Sequence, residues 1–223
     1  DASQNILTVE DPIEYTLAGI GQTQVNSKAG YDFASGLRSI LRQDPDIVMV
    51  GEIRDIETAK IAIQASLTGH LVLSTVHTNS AIGAIARLRD MGIESYLLAS
   101  SIRLVVSQRL VRRLCNSCKE SVIPPLSIQK RFSLSEDSCT FQSNGCEDCN
   151  HSGFKGRVAL AECISISDEL KMLIHDEASE AKLEECAFKN NLSIDASSTQ
   201  LLLDGITCYE ELLKVQNHKD ANV

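Results

Sequence analysis

Four cysteines fall into two pairs whose spacing suits a metal ion. Cys115 and Cys118 form one C-x2-C pair, and Cys146 and Cys149 form a second. A two-residue spacer lets both sulfurs of a pair face one point, and four thiolates complete the tetrahedral shell of a structural zinc ion. We therefore predict that these four residues bind Zn²⁺. A disulfide pair or a coincidence of spacing is the alternative.

The first acidic motif, residues 9–15, places three carboxylates after an apolar run. Glu10, Asp11 and Glu14 lie within five residues, and Pro12 ends the preceding strand because it has no N–H for the ladder. In open α/β sheets, ligands bind just outside the carboxyl ends of the strands. The motif therefore predicts a site that holds Mg²⁺ or polarises a water. A solvated acidic turn without function is the alternative.

The second acidic motif, residues 44–55, places a carboxylate at the end of a continuous apolar strand. The run Ile47–Val50 is followed by Gly51 and Glu52. This is the layout of a Walker B strand, which delivers a carboxylate to the edge of a phosphate site. The motif predicts a functional Glu52, and an ordinary buried strand with an exposed end is the alternative.

The third motif, residues 68–79, has a histidine at each end of a strand. His70 and His77 are seven positions apart. On a straight strand they would lie on opposite faces and about 23 Å apart, at ~3.3 Å per residue, so they do not chelate one metal ion. His77 follows the carboxyl end, beside the acidic motifs, and is the stronger candidate. A structural role is the alternative for both.

The elements that must position these side chains form an α/β pattern. Continuous β-branched runs predict buried strands, and apolar residues at helical spacing predict helices between them. The predicted strands are Ile6–Val9, Ile47–Val50 and Leu71–Val76. The predicted helices are Tyr31–Arg42, Ile56–Leu67, Ala81–Met91 and Tyr96–Leu114.

We predict three parts along the chain. Residues 1–113 form the α/β part, residues 114–158 form a zinc-binding tetracysteine module, and residues 159–223 form a small, mostly helical subdomain. Helical patterns in the last part fall at Asp168–His175, Glu180–Lys189 and Tyr209–Gln216.

Composition excludes several classes of protein. The 223 residues carry a net charge of −9, with 43% hydrophobic and 23% charged residues. These values are ordinary for a globular chain and unlike those of disordered, collagenous or membrane-embedded proteins. The chain has no Trp, four Tyr and five Phe, which disfavours stacking platforms for single-stranded nucleic acid. We expect a cytoplasmic protein without a nucleic-acid partner.

The motifs and their order resemble the type II secretion and type IV pilus assembly ATPases, and the GspE-type secretion ATPases most. The resemblance covers essentially the whole chain and weakens from about Ser193. It implies that residues 1–113 are the C-terminal part of a RecA-like P-loop ATPase core. The matching segments are an Asp box (9–15), a Walker B motif (44–55), a His box (68–79), the four cysteines and residues 153–157.

The resemblance implies catalytic roles for two glutamates. It assigns water activation to Glu14, and general-base chemistry agrees, because a carboxylate near a γ-phosphate can orient a water for in-line attack. It assigns Mg²⁺ binding through water to Glu52. Glu10 and Asp11 would support the same pocket.

Basic residues would complete the nucleotide site. The resemblance implies that His77 senses the γ-phosphate and that His70 braces the same strand. Arg38 and Arg42 are four positions apart and share a face of the predicted helix, so they are candidates to reach phosphate charge. A solvated helix face is the alternative for the two arginines.

The resemblance implies ATP and Mg²⁺ as cofactors, in addition to Zn²⁺. It also implies a homo-hexamer that works with an inner-membrane platform, peripherally at the bacterial inner membrane. No Gly-Lys dipeptide of a P-loop occurs, so we expect the chain to begin downstream of that loop and to be inactive alone. A pilus extension ATPase is one alternative, and a non-catalytic zinc-bearing interaction module is another for the chain by itself.

Overall fold

The computed structural model describes the backbone of residues 3–220 and the side chains of residues 3–215. The strands are β1 (Ile6–Glu10), β2 (Gly21–Gln24), β3 (Ile47–Val50), β4 (Leu71–Ser74), β5 (Leu104–Leu114), β6 (Glu120–Val122), β7 (Thr140–Gln142) and β8 (Phe154–Ser165). The helices are α1 (Phe33–Ile40), α2 (Ile56–Leu67), α3 (Ala81–Asp90), α4 (Ser95–Ser101), α5 (Leu126–Arg131), α6 (Asp168–His175), α7 (Glu180–Ala187), α8 (Ile194–Leu203) and α9 (Tyr209–Asp220).

The described residues group into two compact units. The first contains residues up to 103 together with 166–186, and the second contains 104–165 together with the residues from 187 onward. The functional subdivision at residues 113 and 158 stays a prediction, and its outermost residues, 1–2 and 221–223, lie outside the described part of the chain.

A parallel sheet forms the centre of the first unit. Its strand order is β2-β1-β3-β4, and all three pairings are parallel. The register places Val9 opposite Val50 and Val50 opposite Ser74. The carboxyl ends of the strands therefore meet at one edge, as the sequence motifs require. The predicted α/β fold is confirmed.

Capping residues fix where the helices beside this sheet begin. Asp32 accepts a hydrogen bond from Ser35 N at the start of α1, and Asp55 accepts one from Thr58 N at the start of α2. Each bond satisfies an N–H that the first turn leaves without a helical partner. Because Asp55 caps α2, that helix begins four residues after Glu52.

Strand β4 is an edge strand within the described residues, where it pairs only with β3. The apolar side chains of Leu71 and Leu73 are 52% and 49% exposed there. A parallel strand buried in an α/β sheet has neither property. This edge of the sheet therefore presents apolar surface together with unpaired backbone groups.

The predicted helix Tyr96–Leu114 is wrong in its second half. Helix α4 ends at Ser101, and Ile102 has an extended conformation. Residues 104–114 form β5 instead, which pairs antiparallel with β8. From Leu104 to Val111 more exposed and more buried residues alternate, which is the period of a strand. Pairing with a distant, twelve-residue strand decides the conformation of this segment.

The second unit has its own hydrophobic core. The β5–β8 ribbon contributes Val111 and Leu160, and the helices that follow contribute Ile194, Leu202 and Leu212, all buried in one cluster. The C-terminal part is mostly helical, as predicted. No helix among the described residues is both long enough and apolar enough to span a bilayer.

Candidate functional site

Glu52 and His77 meet at the carboxyl edge of the parallel sheet. Glu52 follows β3, and His77 follows β4. The His77 Nε2 lies 3.0 Å from Glu52 Oε2. Arg54 Nε donates to the same oxygen at 2.6 Å. The Glu52 side chain is only 11% exposed, whereas His77 is 80% exposed. One buried carboxylate is thus held between two exposed basic groups.

These contacts determine the charge of Glu52. Burial alone would raise its pKa, but hydrogen bonds from Arg54 and His77, together with their charges, outweigh burial and lower the pKa below its ordinary value. Glu52 is therefore a carboxylate at neutral pH. An ionised carboxylate at the end of a buried strand can bind a divalent cation directly or through water.

Short backbone contacts hold the ends of β1, β3 and β4 in place. Thr75 Oγ1 donates to Gly51 O at 2.7 Å, and Ile53 N donates to Thr75 O at 3.0 Å. Gly51 N donates to Val9 O at 2.8 Å. A Cβ at position 51 would lie 3.3 Å from Val9 O, so glycine permits this close approach. Glu52 is therefore placed by the sheet itself.

The first acidic motif spans the end of β1 and the loop that follows. Glu10 is partly buried and accepts hydrogen bonds from Thr8 Oγ1 at 2.5 Å and Gln22 Nε2 at 2.9 Å. Asp11 and Glu14 are exposed. The loop leaves the sheet at the same edge as Glu52. Glu10 is thus tied to the sheet, while Asp11 and Glu14 are open to solvent.

His70 lies at the other end of β4. Its Nδ1 is 2.9 Å from Ala65 O and 3.2 Å from Thr68 Oγ1. These contacts join the C-terminus of α2 to the start of β4. The structure therefore does not bring His70 to the edge occupied by Glu52 and His77. Its bracing role for the strand stays a prediction.

The two candidate arginines lie on different elements. Arg38 is on α1 and forms an ion pair with Glu57 in the first turn of α2. Arg42 is exposed on a 3-10 turn, Leu41–Gln43, because α1 ends at Ile40. The predicted single helix Tyr31–Arg42 is therefore shorter in the structure. A role for either arginine toward phosphate stays a prediction.

The four paired cysteines converge on one point in the second unit. Their Sγ atoms all lie within 4.8 Å of one another. The Cys115–Cys146 distance is 3.9 Å, and Cys149 lies 3.8 Å from both Cys118 and Cys146. Four ligands at ≈2.3 Å from a tetrahedral zinc ion would be about 3.8 Å apart. These separations fit zinc and are too long for disulfide bonds, whose S–S length is about 2.05 Å.

Backbone N–H groups surround the cysteine sulfurs. Gly145 N donates to Cys118 Sγ at 3.3 Å, and Cys146 N and Gly153 N each donate to Cys149 Sγ at 3.2 Å. Burial opposes ionisation of Cys149, but the backbone N–H groups of Cys146 and Gly153, together with the thiols of Cys146 and Cys118, lower its pKa to about 6. Burial raises the pKa of Cys118 and, together with the neighbouring thiols, raises that of Cys146 to about 12. Gly145 has φ 108°, and a Cβ there would lie 2.7 Å from His151 O. The backbone therefore favours the thiolate at Cys149, the form in which a cysteine binds a metal.

Two contacts at the carboxyl edge involve side chains to which the motifs assign no role of their own. They are those of Gln22, which binds Glu10, and Thr75, which binds Gly51. Thr75 lies inside the third motif. Gln22 lies on β2, a strand that was not predicted because Gly21–Gln24 has no aliphatic residue. Because β2 is polar and begins with a glycine, the sequence predicts neither this strand nor a role for Gln22.

The fold is shared with solved structures of two other proteins, PilT and DotB. The crystal structure of the pilus retraction motor PilT with bound ADP matches with a TM-score of 0.68 at 25% identity, over 96% of this chain and 52% of that one. The Legionella pneumophila ATPase DotB matches with a TM-score of 0.67 at 22% identity, over 98% of this chain and 53% of DotB. The fold, with carboxylates at one sheet edge, thus defines the class: a parallel α/β core of the kind found in PilT and DotB.

Sequence comparison narrows the class to one family. The profile described as "Type II/IV secretion system protein" matches residues 1–214, and the chain belongs to that family. Type II secretion system protein E of Aeromonas hydrophila is 52% identical over 95% of this chain, and that of Pseudomonas aeruginosa is 53% identical over 96%. Type II secretion system ATPase E of Vibrio cholerae is 51% identical over 96%. The resemblance drawn from the motifs is confirmed.

The chain spans 43% of the length of these three relatives. Identity over that share establishes family and fold.

Proposed function

We propose that this chain is the part of a secretion ATPase that orders Mg²⁺ and the attacking water during ATP hydrolysis. The observation that carries the proposal is the carboxyl edge of the sheet. There the buried Glu52 is held by Arg54 and by His77, and the loop of Glu14 leaves the same edge. The relative in Vibrio cholerae is named an ATPase, which supports the same activity.

Each residue has a distinct role in this proposal. ATP would supply the transferable phosphoryl group, and Mg²⁺ would neutralise its charge. Glu52 would hold the cation through water, Glu14 would orient the water that attacks the γ-phosphate, and His77 would sense that phosphate. Glu10 and Asp11 support the pocket. The P-loop would come from outside this chain, so the chain alone would be inactive.

The proposal extends to the cellular machine. We infer a homo-hexamer in the cytoplasm, held peripherally at the inner membrane by a platform, where hydrolysis drives pseudopilus assembly and protein export. The names of the relatives support secretion. The match to a pilus motor supports a second candidate, a type IV pilus extension ATPase. Loss of protein export on gene deletion would support the first, and loss of pili with intact export the second.

The test is ATP hydrolysis by the full-length protein that contains this chain. Glu52→Gln keeps the size of the side chain and removes its charge, so turnover should fall at least about 100-fold. Phosphate release measures this, and equilibrium binding of ATP should persist. Glu184→Gln, at an exposed position of α7, is the matched control and should retain wild-type turnover. Wild-type turnover in Glu52→Gln would refute the proposal.

A further inference from the structure

One glutamine side chain ties the loop of the first acidic motif to the sheet. Gln22 lies on β2 opposite Thr8 of β1. Its Oε1 accepts a hydrogen bond from Leu17 N at 2.7 Å, and its Nε2 donates to Tyr15 O at 3.0 Å and to Glu10 Oε1 at 2.9 Å. Both N–H groups and the oxygen of the amide are therefore engaged.

These bonds fix the loop on the far side of Glu14. The chain leaves the sheet after Glu10, and the hydrogen bonds of Gln22 connect the loop to the sheet again at Tyr15 and Leu17. Glu14 itself is exposed, so packing does not set its position. A residue that orients a reacting group has to be held within about 0.5 Å of its productive position by its surroundings.

We propose that Gln22 is a positioning residue that sets the place of Glu14 for catalysis. It acts by holding the backbone immediately after Glu14, and it touches no reacting atom itself. The inference rests on the proposed function, in which Glu14 orients the attacking water. It assigns a role to a side chain outside the acidic and histidine motifs.

Only a primary amide of this length satisfies all three contacts. Glutamate at position 22 could accept from Leu17 N, but it has no donor for Tyr15 O and would place a second carboxylate beside Glu10. Asparagine keeps the amide but is shorter by one methylene. Methionine keeps the length and volume but lacks both hydrogen-bonding groups. These variants therefore separate the amide from the bulk of the side chain.

The first experiment measures steady-state ATP hydrolysis by the full-length protein. Gln22→Ala and Gln22→Met should each lower kcat about 10- to 100-fold, because a displacement near 1 Å can cost that much. The KM for ATP should change less than about twofold, since Glu14 acts in the transition state. Gln108→Ala removes an exposed glutamine from β5 and is the matched control. Unchanged kcat in Gln22→Met would overturn the proposal, even if Gln22→Ala failed to fold.

The second experiment asks whether Gln22 acts through Glu14. Single-turnover rates are compared for wild type, Gln22→Met, Glu14→Gln and the double variant. If Gln22 acts through Glu14, Gln22→Met should add less than about a twofold loss in the Glu14→Gln background. A full additional loss there would show a general structural effect and overturn the proposal.

The same four rates separate this inference from the proposed function. A low rate in Glu14→Gln supports that function whatever Gln22 does. A wild-type rate in Glu14→Gln would refute the role of Glu14, and the positioning role of Gln22 with it.

Discussion

Single side chains at the carboxyl edge of the sheet are placed by contacts that the motifs only partly indicate. The sequence predicts that Glu52 and His77 follow neighbouring strands, and the structure brings them within 3.0 Å. The spacing does not predict that Arg54 binds the same oxygen, because two-residue separations in irregular backbone have no fixed geometry. For Glu14, the sequence indicates a carboxylate that could orient a water. Its position in the loop after β1 depends, in our proposal, on Gln22, which lies on the next strand, β2.

Zinc is the first prediction at the scale of residues. The purified chain should contain about one zinc ion, since four thiolates close one tetrahedral site. Cys146→Ser should abolish stoichiometric zinc and loosen residues 115–158, because the module folds around the ion. Metal analysis and limited proteolysis measure both effects. Cys163→Ser, at an exposed cysteine of β8, should retain the ion. Stoichiometric zinc in a variant in which all four cysteines are replaced would contradict the assignment.

A buried ion pair gives the second residue-scale prediction. The Glu211 side chain is 8% exposed and accepts two hydrogen bonds from Arg112, of 2.8 and 2.6 Å. These bonds, with one from Lys214, lower the pKa of Glu211 from 4.5 to about 2 although burial opposes the shift. Because the pKa is lower in the folded state, this stabilisation is present above pH 4.5 and is lost as the pH falls toward 2.

Glu211→Gln should therefore lower the free energy of unfolding at pH 7, on the order of 2–3 kcal/mol. The deficit relative to wild type should shrink as the pH is lowered from 4.5 toward 2. Denaturant unfolding of both proteins across this pH range measures the difference between their free energies of unfolding. Effects of pH that are common to both proteins cancel in this difference. Glu184→Gln, on an exposed position, should show no deficit. A deficit independent of pH would show that charge at Glu211 is not the cause.

At the scale of elements, the sequence correctly predicts the helices and strands whose pattern of apolar residues does not depend on pairing with a distant segment. Ile47–Val50, Ile56–Leu67 and Asp168–His175 have the predicted bounds, because their apolar pattern and capping residues are local. The prediction of a helix over residues 104–114 is wrong, because antiparallel pairing with β8 overrides the helical spacing of their apolar residues. Strand β2 was missed because parallel pairing with β1, and not an apolar pattern, creates it.

The exposed edge strand β4 gives a prediction for the isolated chain. Apolar side chains beside unpaired backbone groups favour association, so the 223-residue chain should self-associate. Leu73→Lys should reduce this, because a charge on an edge strand opposes pairing. Sedimentation velocity measures the change. Ile123→Lys, at a residue 69% exposed in the second unit, is the control. A monodisperse wild-type chain would contradict the prediction.

At the scale of the whole molecule, the family and the α/β fold follow from the order of motifs, and the comparisons confirm both. The division into units could not be predicted, because β5 and β8 are far apart in sequence yet pair along their length. The carboxyl edge of the sheet and the tetracysteine site belong to different units. We therefore expect loss of zinc and loss of the carboxylates at that edge to have separable effects on folding and on turnover.

The central claim is that the loop after β1 supplies the residue that orients the attacking water. The most direct measurement is the single-turnover rate of ATP hydrolysis by the full-length protein with Glu14→Gln, at saturating ATP. We predict a loss of at least about 100-fold compared with wild type, with ATP binding retained, because the amide keeps the size of the side chain and lacks its basicity. A rate within about twofold of wild type would contradict the account.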